Sequence, residues 1–249
     1  MVDIQVGFAG APDNPSLTFI AFVGLTLLAM LALRFTLYAD LNRRATELSD
    51  QRRLWRVLVG VGLTGALYAL LGLVDIVTTV RTPYRRAVVL ALVLFLSVAV
   101  WLLYGSAMPA TASGPDRSGL RPVALGGALA VAAVLVGAIL LGDSVAVSAV
   151  EGIAGTVLAG IGLALGYRGV ARSRVQGTVV DTLLRHLLPV LLFASLIAVA
   201  ELAVVAGTLG GVPSLDRAVV LHVQVVFVIM TATALMTATI KLRQNLAGL

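Results

Sequence analysis

The chain contains no cysteine, two histidines, 6% aromatic residues and only 12% charged residues. The missing cysteine excludes disulfides, thiolate nucleophiles, Cys-ligated zinc, iron–sulfur clusters and c-type haem attachment. The shortage of charge excludes a soluble domain. Eighteen Lys or Arg and 12 Asp or Glu, bunched into short stretches, cannot cover the surface of a folded chain of 249 residues, and an ordinary soluble domain carries roughly a quarter charged residues. What is abundant is apolar: 59% hydrophobic residues and a mean hydropathy of +1.04. The composition is that of a polytopic protein using lipid as its solvent.

A hydrocarbon layer about 30 Å thick needs roughly 20 apolar residues of helix. Seven such runs lie between charge clusters: Ser16–Tyr38, Leu54–Val80, Tyr84–Met108, Pro122–Leu141, Val145–Tyr167, Leu183–Gly210 and Leu215–Ile240. Their length and continuity exclude barrel strands, which alternate with period two. The expected fold is therefore all-α, one seven-helix transmembrane domain over residues 1–249. Residues 1–15 hold Asp3 and Asp13 and no Lys or Arg, the reverse of a signal-peptide n-region, so the first span is expected to be retained.

The net charge of +6 comes from 17 Arg and Lys241 against 12 acids. With the N-terminus outside, Arg34, Arg43, Arg44, Arg52, Arg53, Arg56, Arg117, Arg121, Arg168, Arg172, Arg174, Arg185, Lys241 and Arg243 fall on the cytoplasmic side, leaving Arg81, Arg85, Arg86 and Arg217 outside. This asymmetry predicts a multi-pass protein of the cytoplasmic membrane, N-out and C-in. It also argues against nucleic acid as a partner, since the arginines are spread over loops with no aromatic-plus-basic platform. The loop Asp40–Arg53 reads as a possible extension of either flanking helix, and Ala110–Arg121, rich in Ser, Gly and Pro, as a flexible link. Recurrent glycines such as Gly162 and Gly166, or Gly126, Gly127 and Gly137, read as close helix packing, and Pro189 as a bend in the sixth helix. Trp55, Tyr84, Tyr104 and Tyr167 fit an aromatic belt at the span ends.

The third and seventh spans open with the same five residues, Arg86-Ala87-Val88-Val89-Leu90 and Arg217-Ala218-Val219-Val220-Leu221, each after a short turn containing proline (Pro83, Pro213). Each follows a helix entered from a cytoplasmic arginine, Arg56 or Arg185. The layout is three helices, a linker helix and three helices, with candidate halves 16–108 and 145–243. In this topology the chain resembles the microbial opsins and, less closely, sugar-efflux transporters built as two triple-helix bundles. The resemblance implies a seven-helix sensor or transporter. It departs from the opsins in the seventh span, HVQVVFVIMTATALMTATIKL, whose lysine, Lys241, stands at the cytoplasmic end instead of mid-helix. A retinal Schiff base is accordingly not expected, and no cofactor is assigned.

An ionisable side chain inside a span costs about 2.5–3.5 kcal/mol on insertion scales, which makes each one a functional candidate. Asp75, Glu151, Glu201 and His222 come from the second, fifth, sixth and seventh spans, yet lie at similar depths of roughly 8, 10, 13 and 10 Å from the outer helix ends. Tyr68, whose hydroxyl needs a partner, joins them as a second-rank candidate. Gln224 points about 200° away from His222 and is expected to stay out of the layer. Two readings follow: convergence on an outward-opening polar site that binds a ligand or exchanges protons, or separate pairing with outer arginines, Asp75 with Arg81 and Glu151 with Arg85 or Arg86. A metal site able to hydrolyse a lipid-like substrate is an alternative, although one histidine and scattered carboxylates lack the HExxH spacing. The two histidines, His186 and His222, stand at opposite ends of their helices and cannot ligate one haem iron.

The expected function is thus a non-enzymatic membrane role: an opsin-like sensor, or a transporter of a small solute or protons, with an outward-facing polar site. Transport requires a path from Asp75, Glu151 or Glu201 to the cytoplasm. Sensing requires a closed inner half and a partner on Asp40–Arg53 and Arg168–Arg185. The alternative is an accessory subunit packed in a membrane complex or homo-oligomer.

Overall fold

The computed structural model describes residues 14–46, 49–78, 82–107, 117–142, 144–172, 179–208 and 217–247. Arg81, Asp143, Arg174 and Asp216 lie outside them, as do the acidic residues of the N-terminal segment. The described chain is helical: α1 (Pro15–Ala45), α2 (Ser49–Val77), α3 (Arg85–Ala107), α4 (Arg117–Leu141), α5 (Val145–Arg172), α6 (Val179–Val199), α7 (Glu201–Thr208) and α8 (Arg217–Ala247). Seven stretches are long and apolar enough to cross a membrane, with α6 and α7 together forming one of them, Asp181–Gly207. The chain is an integral, multi-pass membrane protein.

Local chemistry sets the helix limits. Asn14 caps α1 by accepting from Leu17 N at 3.0 Å, and Pro15 occupies the first turn, where its missing N–H is not needed. The charged stretch from Asp40 to Arg53 extends both neighbours, taking α1 to Ala45 and starting α2 at Ser49. Gly142 closes α4 at φ +60°, a left-handed conformation that glycine adopts without strain. The sixth span continues as helix through Pro189 and is interrupted at Ala200.

In the bundle α1 packs on α2, α2 on α3, α3 on α5, α5 on α6, α6 on α8 and α8 back on α1, while α3 also touches α6 across the ring. α3 is therefore the central helix, with 61% of its apolar window buried. α4 lies outside the ring on α3 and α5 and is only 17% buried. Glycine permits the tightest approaches. A Cβ on Gly162 would stand 3.3 Å from the Ser97 Cα, and one on Gly62 would stand 2.9 Å from the Ala32 carbonyl oxygen. Gly126 faces open space, so close packing accounts for Gly127 and Gly137 but not for this neighbour.

The two ends of the bundle differ. Contacts among the starts of α3, α5, α7 and α8 and the end of α2 define a near end. At the opposite, far end, Asn42 of α1 donates to the Leu242 carbonyl of α8 at 3.2 Å and accepts from Asn245. The layers between are mainly apolar, with Leu96, Val100 and Leu103 of α3 and Leu184, Leu187 and Leu191 of α6 all fully buried, and they also hold the buried hydroxyls of Ser97, Ser195, Thr231 and Thr239. Trp55 and Tyr104 are buried as well, which takes them out of the expected aromatic belt, whereas Tyr84 and Tyr167 are exposed as a belt requires.

Candidate functional site

The near end holds two adjoining polar clusters, organised by consecutive arginines at the start of α3. Successive helical residues point about 100° apart, so Arg85 and Arg86 reach different neighbours. Arg86 turns toward α5 and α7. Its Nη1 donates to Ser148 Oγ at 2.7 Å, its Nη2 to Glu201 Oε2 at 3.1 Å, and its Nε lies 3.8 Å from Glu151 Oε2. Ser148 Oγ in turn donates a hydrogen bond to Glu201 Oε2 at 3.1 Å. Gln224 of α8 completes the set, donating from Nε2 to Glu201 Oε1 at 2.8 Å and to the Ile197 carbonyl at 3.2 Å. The three charged side chains are almost wholly buried, at 11% exposure for Arg86, 3% for Glu151 and 6% for Glu201.

Arg85 turns toward α2. It meets Asp75 Oδ2 at 3.3 Å and lies over the Tyr68 ring, 5.4 Å from its centre, a cation–π geometry. Asp75 Oδ1 accepts from both the backbone N and the hydroxyl of Thr82, each at 2.7 Å, and so fastens the turn into α3. A cavity of about 10 Å³, room for a single water, lies between the clusters against Tyr68, Arg85 and Gln224.

Both sequence readings describe part of this arrangement. Glu151 and Glu201 converge, and they do so on an arginine. Asp75 and Tyr68 form the adjacent cluster, with Arg85 as the cation seen at Asp75. His222 and Gln224 exchange roles relative to expectation: His222 sits on the exposed face of α8 and Gln224 enters the cluster. The 200° separation is correct, but the inward face is the other one. The buried positions of α8 include Leu221, Val225, Val228, Ala232, Leu235, Ala238 and Leu242, and Gln224 is three residues from Leu221 and four from Val228. The signal was the set of small residues, Ala232 and Ala238, which in lipid mark the packed face.

Glu201 owes its position to the helix break. Ala200 N still bonds Leu196 O at 3.0 Å, but Ala203 N bonds Ala200 O at 3.2 Å, a tighter turn. Non-helical backbone at membrane depth is tolerated where it is buried in protein, and here it presents Glu201 to Arg86. Thr233 and Thr237 bond backbone carbonyls of their own helix, Ile229 and Ala234, and take no part.

The cluster's chemistry is that of charge. Among the described side chains one guanidinium faces two carboxylates, and the adjoining cluster pairs one guanidinium with one carboxylate. Among the described residues no three His, Asp or Glu are grouped to hold a metal ion, and Arg86 occupies the ground between the two glutamates that a cation would need. Lys241 Nζ donates to Gln244 at the far end of α8, away from the site. No known protein family, curated protein or solved structure matches this chain, and the class it belongs to rests on the fold itself: a seven-span integral membrane bundle with a buried ionic cluster.

Proposed function

We propose that the protein is a proton-responsive membrane sensor, in which the Glu151–Arg86–Glu201 cluster takes up or releases one proton and thereby moves the α6–α7 break. The observation that carries this reading is the placing of two carboxylates on one buried arginine at a helix discontinuity. A proton added to either carboxylate removes one negative charge from the cluster and weakens the hold of Arg86 on that glutamate. α7, an eight-residue segment beginning at Glu201, is the element free to respond. The far half favours sensing over transport, because Leu96, Leu103, Leu184, Leu187 and Leu191 fill it and the buried hydroxyls of Ser97, Ser195, Thr231 and Thr239 are each bonded to a backbone carbonyl.

On this reading the near end faces outward, as the arginine asymmetry suggests, and the topology is opsin-like without a Schiff-base lysine. The proposed duplication of 16–108 and 145–243 matches the packing in part: exchanging the halves turns the α1–α8 contact into the α5–α3 contact, and both matching five-residue stretches fall at helix starts, whereas the α3–α6 contact has no α8–α2 counterpart among the described residues.

The test is a pH-difference infrared spectrum of the protein in lipid nanodiscs, beside proton flux in liposomes. A reversible carboxylic C=O band is expected, altered in Glu201→Gln and in Glu151→Gln, with no flux above that of protein-free vesicles. No such band in wild type defeats the proposal. A flux abolished by Glu201→Gln replaces sensing with transport.

A further inference from the structure

A second feature lies at the far end, on the lipid-facing seam of α1 and α8. There a groove of about 280 Å³ is lined by Leu31, Arg34 and Tyr38 of α1 and by Met236, Ile240 and Arg243 of α8. Arg34 and Arg243 are exposed in it. Arg34 stacks on Tyr38 at 5.8 Å, and no described carboxylate lies within ion-pairing distance of either arginine. Nearby Arg43 and Arg44 contrast with them, both held by Asp40 at 2.6 and 2.7 Å.

Depth identifies the occupant. Arg34 is 19 residues into α1, about 29 Å along the helix, which places its guanidinium at the inner boundary of a hydrocarbon layer about 30 Å thick. Arg243, four residues before the end of α8, reaches the headgroup region. Two cations at that boundary, above an apolar wall of Leu31, Met236 and Ile240, match an anionic headgroup whose acyl chain continues down the groove. A soluble anion has no use for the wall, and a zwitterionic lipid brings a cation to two arginines.

We propose that the α1–α8 groove is a binding site for one anionic phospholipid of the arginine-rich leaflet, its phosphate held by Arg34 and Arg243. Guanidinium suits this task because its planar fork bonds two phosphate oxygens at once. The site is independent of the proton cluster, which lies at the other end of the bundle.

The experiment is native mass spectrometry of delipidated full-length protein titrated with phosphatidylglycerol or phosphatidylcholine. One phosphatidylglycerol is expected to bind at least tenfold more tightly than phosphatidylcholine. Arg34→Gln/Arg243→Gln should abolish that preference, whereas Arg43→Gln/Arg44→Gln and the charge-keeping Arg34→Lys/Arg243→Lys should retain it. Equal binding of the two lipids by wild type overturns the site, as does an unchanged preference in the Arg34→Gln/Arg243→Gln variant. Displacement of phosphatidylglycerol by inorganic phosphate at matched ionic strength overturns the lipid as its occupant.

Discussion

Replacing Arg86 by Gln removes a cation that two buried carboxylates share. At an effective dielectric of ~20, its attractions to Glu201 at 3.1 Å and Glu151 at 3.8 Å are worth about 5 and about 4 kcal/mol. Desolvation of all three groups offsets most of that in the intact protein. The offset does not apply once the arginine is gone, since both carboxylates stay buried without it. Breaking a buried pair from one side costs about 3–5 kcal/mol, and Arg86→Gln is expected to lose that much. The bond to Ser148 at 2.7 Å goes with it. Steric trapping in bicelles measures the loss as an equilibrium stability. Glu201→Gln introduced beside Arg86→Gln removes the excess charge, so the double variant should be more stable than the sum of the two singles predicts, by about 1–3 kcal/mol of coupling. Arg56→Gln, at an exposed position on α2, should stay within about 0.5 kcal/mol of wild type. An Arg86→Gln protein within about 1 kcal/mol of wild type, or a double variant that is merely additive, refutes the shared-cation account.

Three further outcomes are expected. Gly62→Ala should destabilise by about 1–3 kcal/mol because its Cβ meets the Ala32 carbonyl, which is backbone and cannot step aside; Gly126→Ala, into open space, should be neutral or gain up to about 1 kcal/mol from helix propensity, and steric trapping of the pair separates the two cases. Asn42→Leu should lose about 1–2 kcal/mol in the same assay by cutting the hydrogen bonds that tie α1 to α8. His222→Phe should leave the carboxylic infrared band in place, whereas Gln224→Leu, which strips Glu201 Oε1 of its donor, should shift it; the reverse pattern restores His222 to the site.

The seven spans were legible because lipid imposes a length and excludes charge, two constraints that act on each segment separately. Arrangement is different. No hydrophobic contrast tells the two sides of a membrane helix apart, so nothing in the apolar run of α4 marked it as the peripheral helix, or α3 as the central one. Trp55 shows the same limit: an aromatic at a span end fits a belt, and only packing against its neighbours placed it in the core. The break at Ala200 left no sequence mark either. Proline was the visible candidate, and at Pro189 the helix continues.

The site was legible as a depth and illegible as a direction. Asp75, Glu151 and Glu201 share a layer because rise per residue is fixed, and counting from the helix ends found it. Choosing between Arg85 and Arg86, or between His222 and Gln224, requires knowing which face of α3 and of α8 turns inward. For α8 the answer was recorded in side-chain size: a packed seam prefers small residues where lipid gives no hydrophobic drive, and Ala238 and Ala232, followed upward by Val228, lead to Gln224. Polarity misled at this point, since a histidine carries more apparent chemistry than an amide. The amide is nonetheless the group suited to the place, because it supplies Glu201 with a donor without adding a charge to the layer.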